Sequence, residues 1–140
     1  MQLLQQKTIT KERFLEIREL TEKICRSLVP EDTVIQPAEF VSPPKWHLAH
    51  TTWFFEQFVL SKSDGYRWFN KDYPYFFNSY YNNVGERVIR ANRGLMTRPV
   101  LQDILDYRAH VNEAIANLLE QDINDTLYNV IEIGLQHEQQ

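Results

Sequence analysis

Four stretches of this chain repeat apolar residues every three or four positions, the spacing that returns side chains to one face of an α-helix. The first places Phe14, Ile17, Leu20 or Thr21, Ile24 and Leu28 in phase, with Thr10 or Thr8 as its cap and Pro30 as its end. The second begins near residue 43, where Ser42 can accept from an unpaired first-turn amide and Pro43 or Pro44 loses nothing by lacking one. It runs to about Ser61, with Trp46, His50, Trp53 and Gln57 on one face and His47, Phe54 and Phe58 on the neighbouring flank. The third, marked by Thr97 and Pro99, carries Val100, Ile104, Tyr107 or Arg108, Val111, Ile115 and Leu118 inward and ends near Gln121. The fourth is capped by Asn124 or Asp125 and turns Leu127, Val130 or Ile131, Gly134 and His137 toward the core.

Between these stretches the period is lost. Residues 30–42 contain Pro30 and Pro37 and read as a connection. Residues 63–97 are aperiodic, yet they hold Tyr66, Trp68, Phe69, Tyr73, Tyr75, Phe76, Phe77, Tyr80 and Tyr81, too many aromatics for a disordered linker. A long ordered crossover of this kind is often functional and can contain short helical turns. The pattern predicts an all-α fold, a four-helix bundle with a long aromatic-rich crossover between its second and third helices.

Composition narrows the function without naming it. A chain of 140 residues suits one domain with its own core. A net charge of −4, with both signs mixed along the chain, offers no basic face for nucleic acid and no cationic stripe for a membrane surface. No apolar run approaches the roughly 20 residues of a membrane span. The single cysteine, Cys25, excludes an internal disulfide and lies beside the first helix's apolar stripe, where it reads as core. With no secretory leader in the sequence, the expected compartment is the cytoplasm.

Candidate chemistry centres on histidine. His110 shares a face with Asp103, Asp106 and Glu113 and reads as a surface residue. His47 is either a ligand or a hydrogen-bonded part of the aromatic flank. His50 and His137 sit on the inward faces of two different helices, and imidazoles meeting in a bundle core suit a metal. Transition metals usually take three or four protein donors, and one further helical turn from His137 ends just past Gln140. A histidine there would also spell His-Glu-x-x-His, with Glu138 as a metalloprotease base; that reading is not adopted, because the second histidine is not in the chain. The arginines of the 85–94 segment either fork onto ligand carboxylates or pair with acids of the third helix. Glu56 is either a second partner for a histidine or an exposed charge.

Three blocks, KWHLAHTTWFFE, YPYFFNSYYNNVGERVIRANRGLMTRP and a last helix ending GLQHEQQ, resemble the N-terminal DinB-like domain of the ergothioneine-biosynthesis sulfoxide synthases over nearly the whole chain. The resemblance implies a DinB-like four-helix bundle that, joined to a C-terminal domain resembling formylglycine-generating enzyme, binds one non-haem Fe(II). With O₂ the family joins a cysteine-type thiol to trimethylhistidine as a sulfoxide. It implies iron ligation by His50 and His137, thiol-carboxylate contacts from Arg87 and Arg90, and a place for Gln140 near the imidazole substrate. The family's third histidine ligand falls after Gln140. The expectation is therefore a single domain over residues 1–140, shortened at its last helix, lacking the family's C-terminal domain and inactive alone. Other readings are a stand-alone thiol transferase of the DinB superfamily using Zn(II) or Ni(II), and a non-enzymatic domain whose aromatic crossover docks a partner or a second copy.

Overall fold

The structure is a computed structural model that describes residues 9–79 and 87–140. Thr8, Tyr80 and Tyr81, named above, and the first two residues of the 85–94 segment lie outside the described residues. Five helices are described: α1 (Lys11–Cys25), α2 (Pro44–Phe58), a short α3 (Tyr73–Phe77), α4 (Leu101–Leu119) and α5 (Asp125–Gln139), with 3-10 turns at Pro30–Val34, Leu60–Lys62 and Arg90–Leu95. Among the described residues no strand forms, and no helix is long and apolar enough to cross a membrane. α2 packs on α4 and α5, and α1 packs on the same two, so the four long helices enclose one core. The crossover contributes α3 and the Arg90–Leu95 turn, the short helical turns its aromatic sequence allowed.

Local chemistry sets most of these boundaries. Thr10 Oγ1 accepts from the Arg13 amide at 3.1 Å, and Asn124 Oδ1 from the Leu127 amide at 2.8 Å. Ser42 does not cap α2. Its hydroxyl instead accepts from Arg93 Nη1 at 2.8 Å, and α2 starts at Pro44 with no side-chain cap, its first helical residue having no amide to satisfy.

The inward face of α1 departs from its apolar pattern. Leu20 and Ile24 are 51% and 68% exposed, whereas Arg18 is completely buried. The cause lies on α5. Glu138 Oε2 accepts from Arg18 Nη1 at 3.0 Å, and its Oε1 accepts from Arg108 Nη2 at 2.8 Å and Thr21 Oγ1 at 2.9 Å. Arg18 also donates to Thr52 and Asn112, each at 2.6 Å, and Arg108 to Glu22 at 3.0 Å. One buried ionic cluster thus joins α1, α2, α4 and α5, and its closed geometry is what makes buried guanidinium groups tolerable. On α4 both alternatives at one helical step, Tyr107 and Arg108, are buried.

Two polar residues fix the crossover. Glu56 is neither a histidine's partner nor exposed: it is buried and accepts from the hydroxyls of Tyr66 and Tyr107 and from the Phe69 amide. His110, expected at the surface, is half-buried; its Nε2 donates to the Arg67 carbonyl at 2.9 Å, and its ring lies against Tyr66 and Phe69.

On the opposite side of α2, Gly134 lets α5 come close. A Cβ there would stand 2.5 Å from Phe55 Cε1 and 2.9 Å from Phe54 Cδ1, well inside van der Waals contact.

Candidate functional site

α2 and α5 bring His50 and His137 together. Their ring centres are 5.0 Å apart and nearly perpendicular, a separation at which two imidazoles can share one ion. His50 is held on three sides: its ring stacks on Trp46 (4.5 Å, 11°) and on Trp53 (5.6 Å, 19°), one turn away in each direction along α2. Nδ1 lies 2.6 Å from the Phe77 carbonyl. A carbonyl only accepts, so Nδ1 carries the proton and Nε2 keeps its lone pair. The end of α3 anchors the neighbour as well, since Trp46 Nε1 donates to the Phe76 carbonyl at 3.0 Å.

Both rings are neutral at ordinary pH. Burial pushes the His50 pKa down to about 3, against the opposing effect of the Phe77 hydrogen bond, and the nearby His137 adds to the lowering. Burial also lowers His137, with Glu138 opposing it. His137 Nδ1 is buried and has no hydrogen-bond partner among the described residues. A neutral imidazole with an unoccupied lone pair is the form a divalent metal takes as ligand, so this pair fits two places of a coordination sphere. Among the described residues no group of three histidine, cysteine or acidic side chains could hold an ion. Glu138, next to His137, is fully committed to Arg18 and Arg108. Burial would raise its pKa, but the two guanidiniums outweigh it and keep the carboxylate ionised, so it offers neither a free base nor a ligand.

The histidines open into a pocket of about 310 Å³ lined by Phe40, Val41, Ser42, Trp46, His47, His50, Ser79, Arg90, Arg93 and His137. A second, of about 350 Å³, shares Ser79, Arg90 and Arg93 with it and adds Arg87 and Ile89. Of the predicted pair, Arg90 therefore lines the histidine pocket and Arg87 the pocket adjoining it, and His47 sits exposed at the rim, edge-on to Trp46. Gln140 is exposed at the end of α5, and the structure does not bring it into either pocket. A larger groove of about 700 Å³ lies elsewhere along α1, among Arg13, Glu16, Glu19 and Lys23. It is open, of mixed charge and without a histidine, so the smaller pocket is the candidate site.

Arg93 was among the arginines of the 85–94 segment but was not singled out with Arg87 and Arg90. It is 4% exposed; besides its bond to Ser42, its guanidinium lies 3.6 Å from the centre of the Trp46 ring. The signal was an Arg-x-x-Arg-x-x-Arg spacing through Arg87, Arg90 and Arg93, of which Arg90 and Arg93 stand one turn apart in the Arg90–Leu95 3-10 helix. No acidic residue lines either pocket among the described residues.

Compared with known families, residues 13–140 match the model described as the DinB superfamily. No curated protein matches the chain.

Proposed function

This chain belongs to the DinB superfamily, and from that membership we propose that His50 and His137 are two ligands of a divalent metal, Fe(II) first, with Zn(II) or Ni(II) as other occupants. The pocket around them receives a small thiol that bears a carboxylate. In the fuller reading this is the metal-binding domain of a sulfoxide synthase that joins such a thiol to trimethylhistidine. The observation that carries the proposal is His50: a buried, neutral imidazole whose Nδ1 is committed to a carbonyl and whose remaining nitrogen keeps its lone pair beside a second neutral imidazole. When bound, the metal would supply a centre for a thiolate. The chain's own residues do the rest. Trp46 and Trp53 fix the His50 ring and keep water from it, and Arg87 and Arg90 meet the ligand's carboxylate. Gln140, by resemblance alone, meets the imidazole substrate.

Titrating the metal-free protein with Co(II) or anaerobic Fe(II) tests this. His50→Ala and His137→Ala should each abolish measurable binding, while His110→Ala should leave it unchanged. Equal affinity in all four proteins would sink the metal reading.

One observation favours a non-enzymatic reading beside it: Phe40 at the pocket rim is 76% exposed, and Trp68 and Tyr75 of the crossover are exposed too. A docking surface would show concentration-dependent association that chelator does not change.

A further inference from the structure

Three arginines of the described chain are buried. Arg18 and Arg108 are each bonded to the carboxylate of Glu138. Arg93 is the exception: among the described residues it donates to the neutral hydroxyl of Ser42, its Nε is buried with no partner, and it makes no ion pair. Its charged neighbours are Arg90 and Arg87, which are of the same sign. Trp46 offsets part of this charge through its ring face, but a ring quadrupole is weaker than a counter-ion.

We infer that Arg93 is a binding residue for a small anion of the carboxylate class, taken into the histidine pocket alongside His50. This deepens the reading above and rests on it for the identity of the pocket, but it needs no metal. A planar carboxylate suits the site because it can accept from two donors of one guanidinium fork at once. One Nη of that fork is tied to Ser42 and the plane is fixed on Trp46, so little side-chain freedom remains to be lost on binding. Trp46 links the two groups: Arg93 packs on its ring, and so does His50. Burial, followed by repulsion from Arg90 and Arg87, brings the Arg93 pKa down to about 10, which still leaves it charged at neutral pH.

Trp46 provides the readout. Its indole N–H, fixed on the Phe76 carbonyl, gives a distinct nitrogen-15 NMR resonance beside Arg93. With chelator present and ionic strength held constant, acetate should move that resonance along a saturable curve, and acetamide, the same shape without charge, should not. Arg93→Gln should weaken acetate binding by at least about tenfold, the loss expected for one charge-assisted pair, and Arg93→Lys should recover part of it. If Arg93→Gln does not fold, the acetate and acetamide titrations of the unaltered protein decide the matter. Acetate leaving the Trp46 resonance still, acetamide matching acetate, or folded Arg93→Gln binding acetate as before would each overturn the inference. A failed metal titration alongside successful acetate binding would reject the metal reading alone.

Discussion

His50 shows how one side chain ties stability to pH. The unfolded chain takes up a proton on this imidazole near pH 6.5, whereas the folded protein resists until about pH 3. Between those values the unfolded state holds more protons, so the contribution is complete above pH 6.5 and is lost as the pH falls toward 3, at up to about 1.4 kcal/mol per pH unit. Urea unfolding of the metal-free protein from pH 7 to pH 4 should show that slope, and His50→Asn should flatten much of it. His50 and His137 were legible in the sequence because each falls at the apolar phase of a helix, where a polar residue needs a reason. Arg93 was legible only as one of several arginines in the 85–94 segment, because that segment has no period to tell a buried guanidinium from a surface charge. Ser42 misled for the opposite reason: its position is that of a cap, and only the fold brings Arg93 to it.

At the scale of elements, the approach of α5 to α2 sets the distance between the two histidines, and Gly134 permits it. Gly134→Ala should gain about 1 kcal/mol of helix propensity but lose about 1–3 kcal/mol to overpacking against Phe54 and Phe55. The expected net is destabilisation by up to about 2 kcal/mol, with weaker Co(II) binding because α5 must move outward. Denaturant unfolding and metal titration of the same variant check both. Glu138 holds the last turn of the same helix. Glu138→Gln leaves Arg18 and Arg108 buried with their counter-charge removed and should cost about 3–5 kcal/mol in urea unfolding. The helices themselves were readable from a 3.6-residue period and from Thr10 and Asn124 as caps. The rotation of α1, which exposes Leu20 and Ile24 and buries Arg18, was not, since its cause is a carboxylate 120 residues away.

Across the whole molecule, charge is unevenly placed: a chain of net −4 surrounds its histidine pocket with Arg87, Arg90 and Arg93 and lines it with no described acid. The crossover that supplies those arginines also supplies Phe77, the hydrogen-bond partner of His50, and it is tied to the bundle through Glu56. Glu56→Ala should speed hydrogen exchange in residues 66–77 while α1 and α5 exchange as before, because it strands two hydroxyls and the Phe69 amide. The bundle was legible from pattern alone; this tie was not, because its residues lie in an aperiodic stretch. The ionic cluster around Glu138 has a consequence for genetics. α1 lends no side chain to the histidine pocket, yet Arg18 helps hold the turn that carries His137. A mutational survey scored only on ligand binding would credit α1 with recognition it does not perform, and a paralogue that had lost Arg18 could keep every pocket residue and still have lost the site.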